Sequence, residues 1–465
     1  MNLSKIKIPN TFTILFSLLI ITSGLTWIIP GGKFETQMVE GREEIVNGTF
    51  HYIPSNPQGI SDIFKAPILG FVDAALIIGL VLLVGGAFAV FQKTEAVDSA
   101  ILGIAKAYQN CRLVRILLIP IFMTIFSLSG AIFGMSEEII PFILIFVPLA
   151  LTLGYDTITG VAIPFVGAGA GFAGAFLNPF TIGIAQDVAG LPLFSGLAYR
   201  LVVWFITTST AITFVMIHTR RIKKNPTKSV TYQKDLEKKK DIDLSAIHEF
   251  SGLSRRHKLV LSVFLAGILT LIFGVLKFGW FIEELAAVFV ITGIAVGIAG
   301  KLSANEITDS FLKGAKDLVG AALIIGLARG LLILAKNGNI IDTILFELSA
   351  PISALNPVIS AQAMFVVQSF LNFFVPSGSG QAVLTMPIMA PLADLVGVSR
   401  QTAVLAFQMG DGFTNMLIPT SAVTISVLTL ADVPWERWAI WFLPLALIFS
   451  LLGFLLLIPP FLINW

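Results

Sequence analysis

The heptapeptide Ala74-Ala75-Leu76-Ile77-Ile78-Gly79-Leu80 returns letter for letter at Ala321-Ala322-Leu323-Ile324-Ile325-Gly326-Leu327. Self-similarity at a long period constrains a fold more than any single motif does. The register extends on both sides. Asp62 and Phe64 fall on Asp309 and Phe311, Gly86 and Asp98 on Gly330 and Asp342, Ser136 on Ser379, and Pro148 on Pro391. Gly154 falls on Gly397, Gly171-Phe172 on Gly412-Phe413, and Pro179 on Pro419. The chain reads as two copies of one unit.

The make-up of the copies says where they reside. Of 465 residues, 56% are hydrophobic and 12% charged. Apolar runs of about 20 residues, enough to cross a hydrocarbon core of about 30 Å, recur from Phe12 to the C-terminal end. This predicts an all-α polytopic protein whose first partner is the lipid bilayer. The net charge of +2 gives no reason to expect nucleic acid. Cys111 is the single cysteine and the four histidines are scattered, so no disulfide framework, structural metal or cofactor is expected. Lys5 and Lys7 before an apolar run imitate a signal peptide, but no small-residue cleavage site precedes Trp27-Ile28-Ile29-Pro30. Residues 1–30 are read as a retained first transmembrane span.

Charge sets the orientation. Thr219 to Lys258 holds twelve Lys/Arg against five Asp/Glu, whereas Gly31 to Pro67 holds three against five. The positive-inside rule makes 219–258 a basic cytoplasmic loop, 31–67 an external loop, the N-terminus cytoplasmic and the C-terminus external. With no apolar stretch to build a core, the basic loop is expected to act as a flexible hinge. Residues 68–218 form the first copy and begin outside. Two scaffold spans follow over 259–300, and the second copy, 301–465, begins just after Lys301 on the inside. Lys93 to Arg115 carries four bases against two acids and its counterpart, Lys336 to Pro357, one against two, in agreement. The copies are thus expected to be inverted repeats, the arrangement from which carriers draw their two access states. A secondary active transporter of the cell inner membrane, acting on a small-molecule substrate, is the expected class.

Backbone groups unpaired in lipid must be covered by protein or a watery cavity, so Gly, Pro, Ser and Asn clustered in apolar sequence mark irregular, buried chain. Four clusters qualify. Ser129 to Glu138 and Pro376-Ser377-Gly378-Ser379-Gly380-Gln381 read as tips of re-entrant hairpins near 115–154 and 355–398. Gly167-Ala168-Gly169-Ala170-Gly171 running on to Asn178-Pro179-Phe180-Thr181, and Gly410-Asp411-Gly412-Phe413-Thr414-Asn415 running on to Pro419-Thr420-Ser421, read as unwound centres of broken helices near 157–189 and 400–431. Ordinary packing through small residues is the competing reading for each.

Ionisable side chains in such regions are functional candidates by default. Here they are Glu137, Glu138, Asp411 and Arg329. Acids outnumber bases, so a substrate of net positive charge, or one accompanied by Na⁺ or H⁺, fits better than a bare dianion. An amino acid is favoured, with a basic one in view. Its carboxylate is expected at Ser377, Gly378, Ser379, Gly380 and Gln381, because helix amino termini favour anions. Its ammonium is expected at Glu137, Glu138 or Asp411, with Ser136, Asn178, Thr414 and Asn415 adding hydrogen bonds. Gly134, Thr181, Gly410, Thr420 and Ser421 are the expected coupling-ion ligands. Arg329 either binds a carboxylate or neutralises an acid.

Pro376 to Ala382, Met386-Pro387-Ile388-Met389-Ala390-Pro391-Leu392-Ala393-Asp394 and Gly410 to Asn415 together resemble the YfcC branch of the anaerobic dicarboxylate carrier family, of the ion transporter superfamily. The resemblance spans nearly the whole chain. It implies a homodimer, a scaffold domain and a mobile transport domain that moves like an elevator. It also implies substrates among dicarboxylates and basic amino acids such as arginine and ornithine, by symport or antiport. The Ser-Asn-Thr triplet common at hairpin tips of dicarboxylate carriers is missing here, which weighs against a C4 dicarboxylate. An ion channel or a membrane-embedded enzyme are the readings of another class. Channels take their symmetry from several subunits, and no Gly-x-Ser-x-Gly elbow, spaced His pair or phosphate loop suggests catalysis.

Overall fold

The computed structural model describes residues 11–39, 42–46, 48–241, 247, 250 and 252–465. The basic start at Lys5 and Lys7 and residues 242–246 of the basic loop lie outside these. Among the described residues, seven helices are long and apolar enough to cross a membrane, with three shorter apolar helices beside them.

The chain opens with α1 (Thr11–Ile28) and then departs from the all-α expectation. Residues 31–67 contain two small antiparallel sheets, β1 (Gly32–Lys33) with β4 (His51–Tyr52) and β2 (Thr36–Val39) with β3 (Arg42–Ile45). Helices α2 (Ile60–Asp73) and α3 (Ala75–Lys93) follow, divided at Ala74, and then α4 (Ala96–Asn110). The first hairpin is α5 (Arg112–Phe133), a 3₁₀ segment over Glu137–Phe142 and α6 (Ile143–Thr152). Next come α7 (Thr157–Ala173), a π turn over Pro179–Gly183, α8 (Ile184–Val188) and the long α9 (Leu197–Lys224). Beyond the basic segment, with α10 (Tyr232–Lys238), stand α11 (Arg255–Phe278) and α12 (Ile282–Ala299). The second half repeats the pattern: α13 (Ala304–Asp317) and α14 (Val319–Asn337) divided at Leu318, then α15 (Ile341–Ser349), the hairpin α16 (Pro357–Leu371) and α17 (Gly378–Leu395), α18 (Arg400–Asn415), α19 (Ala422–Leu430), α20 (Trp435–Leu456) and α21 (Pro459–Ile463).

Matched positions do matched work. Gly154 and Gly397 end α6 and α17 with φ of +81° and +73°, the left-handed region where glycine has no Cβ penalty. Asp156 and Ser399 then cap α7 and α18, each accepting from the backbone N–H three residues on, which satisfies an end donor. Packing is reciprocal too. α2 lies along α14, and α13 lies along α3. Both crossings bring backbone onto backbone: a Cβ on Gly70 would stand 2.3 Å from the Gly326 carbonyl oxygen, and one on Gly314 2.3 Å from that of Gly85. These helices pack with α1, α11 and α12, while α5–α9, α16–α18 and α20 pack around one another; α19 touches both groups, through α14 and the first hairpin. Along α2, the exposed Ile60, Phe64, Ile68 and Val72 recur at the spacing of one helix face and offer an apolar stripe to lipid.

The basic segment is docked where a flexible hinge was expected. Ser229, Thr231 and Asp235 are buried. Asp235 accepts from Thr157 Oγ1 at 2.6 Å and Thr231 Oγ1 at 2.8 Å, and Lys238 Nζ donates to the Ala431 carbonyl at 2.6 Å. Buried hydrogen bonds hold it, with Val230 and Ile247 packed into the core beside them.

Candidate substrate and ion site

Both hairpins turn back at the level of the helix breaks. The first turns over Gly134, Met135 and Ser136, with Gly134 at φ +72°. A Cβ on Gly134 would lie 2.6 Å from Asn178 Oδ1, so the turn rests on the break after α7. There the backbone N–H groups of Phe176 and Leu177 both donate to the Ala131 carbonyl. The second hairpin turns over Asn372 to Ser377. Asn372 Nδ2 donates to the Asp411 carbonyl at 3.1 Å and to Thr414 Oγ1 at 2.7 Å, tying that tip to the end of α18.

The irregular stretches fill only the later parts of the predicted clusters. Gly167 to Gly171 belong to α7 and Gly410 to Asn415 to α18; the actual breaks are 174–178 and 416–421. The glycines serve helix crossing, since a Cβ on Gly171 would fall 1.9 Å from the Ser127 carbonyl oxygen and one on Gly410 2.7 Å from Gln368 Cβ. Gly378 to Gln381, read as hairpin tip, form the first turn of α17, with Ser377 Oγ as the cap accepting from Gly380 N–H at 3.3 Å.

Between tips and breaks lies a cavity of ≈ 300 Å³. Gly134, Ser136, Glu137 and Glu138 line it from the first tip, and Ser377, Gly378 and Ser379 from the second. Thr181 comes from the π turn after the first break, Asn415 from the end of α18, and Thr420 and Ser421 from the second break, with Arg329 from α14. The amino-terminal ends of α17 and α19 both reach it. Phe165, Phe172 and Phe180, with Phe281 before α12, supply apolar wall, and the Phe180 and Phe281 rings lie 5.4 Å apart. Glu138 is buried, and one of its carboxylate oxygens accepts from the Ser136 N–H at 3.0 Å; Glu137 is half-buried.

Other expected residues stand behind that wall. Asn178, Gly410, Asp411, Thr414 and Gln381 do not line it, and Gly380 faces a neighbouring cavity. Gln381 Nε2 donates to Gln368 Oε1 at 2.7 Å, and Gln368 Nε2 donates to Thr385 Oγ1 at 2.9 Å, which fastens the two arms of the second hairpin together. Asp411 is fully buried; Oδ1 accepts from Asn415 Nδ2 at 2.9 Å, while Oδ2 has no partner among the described residues. A Cβ on Gly378 would be 2.5 Å from Thr181 Cγ2 and 3.1 Å from Asp411 Oδ2, so this carboxylate and Thr181 meet just behind the start of α17. Thr181 Oγ1, Thr420 Oγ1 and Asn415 Oδ1 are likewise buried without a partner. Unpaired buried acceptors around an acid are costly and fit a cation or proton.

Sequence reasoning missed Asp73 and Asn372. Asp73 lines the cavity and accepts from Arg329 Nε. Its position just before the duplicated heptapeptide, an acid in apolar sequence, was the available signal. Among the described residues there is no group of His, Cys, Asp and Glu able to hold a metal.

Residues 8–460 match the C4-dicarboxylate anaerobic carrier family. The chain belongs to that family. It is 36% identical over 472 residues to "Putative basic amino acid antiporter YfcC" of Escherichia coli K12, covering 92% of each chain. It is 31% identical over 496 residues to an uncharacterized protein of Haemophilus influenzae, covering 97% of this chain and 96% of that one. Among solved structures, the YdaH transporter of Alcanivorax borkumensis aligns with a TM-score of 0.46 at 15% identity, over 98% of this chain and 99% of the other. This member of the carrier family is accordingly a multi-pass membrane transporter.

Proposed function

We propose that the chain is an ion-coupled carrier of an amino acid, with a basic side chain favoured and exchange as its mode. The observation that carries this is the polarity of the cavity. Glu137 and Glu138 stand on the first tip, while Arg329, paired through Nε with Asp73, lines the cavity from α14, and Ser377, Ser379 and the start of α17 line it from the second hairpin. Two poles of opposite sign suit a solute bearing both ammonium and carboxylate: the free N–H groups and dipole of a helix start favour the anion, and the carboxylates the cation. The name of the Escherichia coli relative supports the same choice. Asp411, with Thr181, Thr420 and Asn415, is the proposed place of the coupling Na⁺ or H⁺.

The proposed setting is the cell inner membrane, with the basic segment and N-terminus in the cytoplasm and the β-hairpins outside. The halves are read as inverted repeats, an assignment supported by the reciprocal packing of α2 on α14 and α13 on α3. The group of helices holding the hairpins is the proposed moving part, elevator-like, within a homodimer. A C4-dicarboxylate carrier is the second reading, favoured by the guanidinium of Arg329 beside the start of α17 and by the family's description.

Uptake into proteoliposomes of labelled L-arginine, L-ornithine, neutral amino acids and succinate, with and without Na⁺ and a pH gradient, tests the choice. Saturable arginine uptake accelerated by internal ornithine is expected, and Asp411→Asn should abolish its ion dependence. Saturable succinate uptake with none of arginine would install the second reading, and full uptake with unchanged ion dependence in Asp411→Asn would remove the ion site.

A further inference from the structure

Arg329 and Ser377 belong to the walls of two cavities at once. The second, ≈ 540 Å³, lies between the β-hairpins and the helices α14, α15 and α17. Among the described residues its charged lining is Lys33 on β1, Lys336 in the last turn of α14, Arg329, and one acid, Asp342. Both lysines are exposed and neither is in an ion pair among the described residues. Asp342 is occupied, because its Oδ2 accepts from the Phe34 N–H at 3.1 Å. Arg329 meets Asp73 through Nε alone. Its two terminal nitrogens have no protein acceptor among the described residues, and its side chain is 26% exposed.

The β-hairpin wall is fixed. Gly32 N–H donates to the Asn339 carbonyl at 3.0 Å, Asn56 Nδ2 to the Asn337 carbonyl at 2.8 Å and Thr343 Oγ1 to the Pro30 carbonyl at 2.8 Å. Phe50 stacks on Phe346 with ring centroids 4.1 Å apart. Lys33 is therefore held over the cavity by a braced sheet. Three bases against one acid leave this lining net positive, a potential that low-dielectric walls concentrate, and an arginine fork with two free nitrogens is shaped for a carboxylate.

We propose that this second cavity is an entry filter: it admits solutes that carry a carboxylate, passes that group to the free fork of Arg329, and turns away bare amines and guanidines. Such a filter has a purpose. The pole formed by Glu137 and Glu138 accepts any ammonium or guanidinium, and so has no means of telling an amino acid from its decarboxylated amine. The basic vestibule makes that distinction before the solute arrives. This deepens the carrier reading and rests on it for the solute's route, but the charge of the vestibule is measurable without transport.

The full-length chain with Cys111→Ser, and with either Thr36→Cys or Ile53→Cys as reporter in the vestibule wall, is treated with an anionic and a cationic methanethiosulfonate reagent of similar size, both membrane-impermeant. Rates are normalised to those with 2-mercaptoethanol. The anionic reagent should react faster by about tenfold, the low end of what a singly charged cleft imposes, and Lys33→Gln with Lys336→Gln should bring the ratio close to unity. L-arginine and succinate should slow labelling, whereas agmatine, which is arginine without its carboxylate, should not. A ratio near unity in the parent, a ratio unmoved by the two lysine changes, or equal protection by agmatine would overturn the filter. Labelling confined to inverted vesicles would refute the proposed orientation alone, because the charge ratio decides the filter in either preparation.

Discussion

His218 Nε2 lies 3.0 Å from Asp156 Oδ2 while its Nδ1 accepts from Trp441 Nε1–H at 2.9 Å, so the proton of this imidazole is on Nε2 and points at the carboxylate. Burial pushes the Asp156 carboxyl up, but hydrogen bonds from His218, Thr159 and Ser229 outweigh it and hold it below its ordinary value. This junction joins the end of α9, the start of α7, α20 and the docked basic segment. Removing one partner strands a buried polar group or charge, at a cost of about 3 kcal/mol or more for a paired charge. Thermal unfolding of the purified protein in detergent should show His218→Ala and Asp156→Asn each lowering Tm, and the double variant losing less than the sum. Full additivity would mean the two side chains are uncoupled.

Gln381 separates a structural role from a binding one. It clasps Gln368 inside the second hairpin and does not line the cavity. Gln381→Ala leaves Gln368 short of a donor in a buried place, which costs about 1–3 kcal/mol. Stability should fall by that amount while the KM of the transported solute stays within about twofold. A KM raised tenfold with unchanged Tm would return Gln381 to the binding site.

Arg329 and Asp73 should be coupled. Arg329→Gln removes both the counter-charge of Asp73 and the proposed carboxylate ligand, and a tenfold or greater rise in KM, about 1.4 kcal/mol, is expected. Asp73→Asn releases the guanidinium instead, and should leave KM the same or lower. If Asp73→Asn raised KM as far as Arg329→Gln, the pair would act as a brace and not as a ligand held in reserve.

The crossing of α5 and α7 leaves no room for a side chain at Gly171. A methyl group there would have to displace the Ser127 backbone, and overpacking of this kind costs about 1–3 kcal/mol and sometimes more. Gly171→Ala should therefore reduce the yield of monodisperse protein on size exclusion far more than Gly154→Ala, whose glycine has open space around it and only its φ of +81° to protect.

Helical spans, the two hairpins and most polar residues of the cavity wall were legible because lipid burial imposes long apolar runs and confines Gly, Pro and Ser to places that need them. The residue at which each break starts was not, and the reason is physical. A glycine's missing Cβ serves an unwound turn and a tight crossing equally well, so Gly167 to Gly171 carried the same signature as a break while forming continuous helix against α5. The true break begins at Gly174, after the run. Asp411 was misread for the same reason: flanking glycines suggested loop, yet Gly412 packs on Ala173 and the carboxylate projects from helix. The docked basic segment was illegible because hydrophobicity is the usual sign of a core, and here Ser229, Thr231 and Asp235 bury hydrogen bonds as well. The β-hairpins escaped notice because strands of two to four residues give almost no alternation to read.

Where α2 meets α14 and α13 meets α3, main chain comes close to main chain at Gly70 and Gly314. Those joints resist both shearing and drift: a larger residue at Gly70, Gly85 or Gly314 would wedge two helices apart along their whole length. Under the proposed elevator-like movement these four helices would be the fixed reference frame, and paired labels between them and the hairpins would measure the displacement.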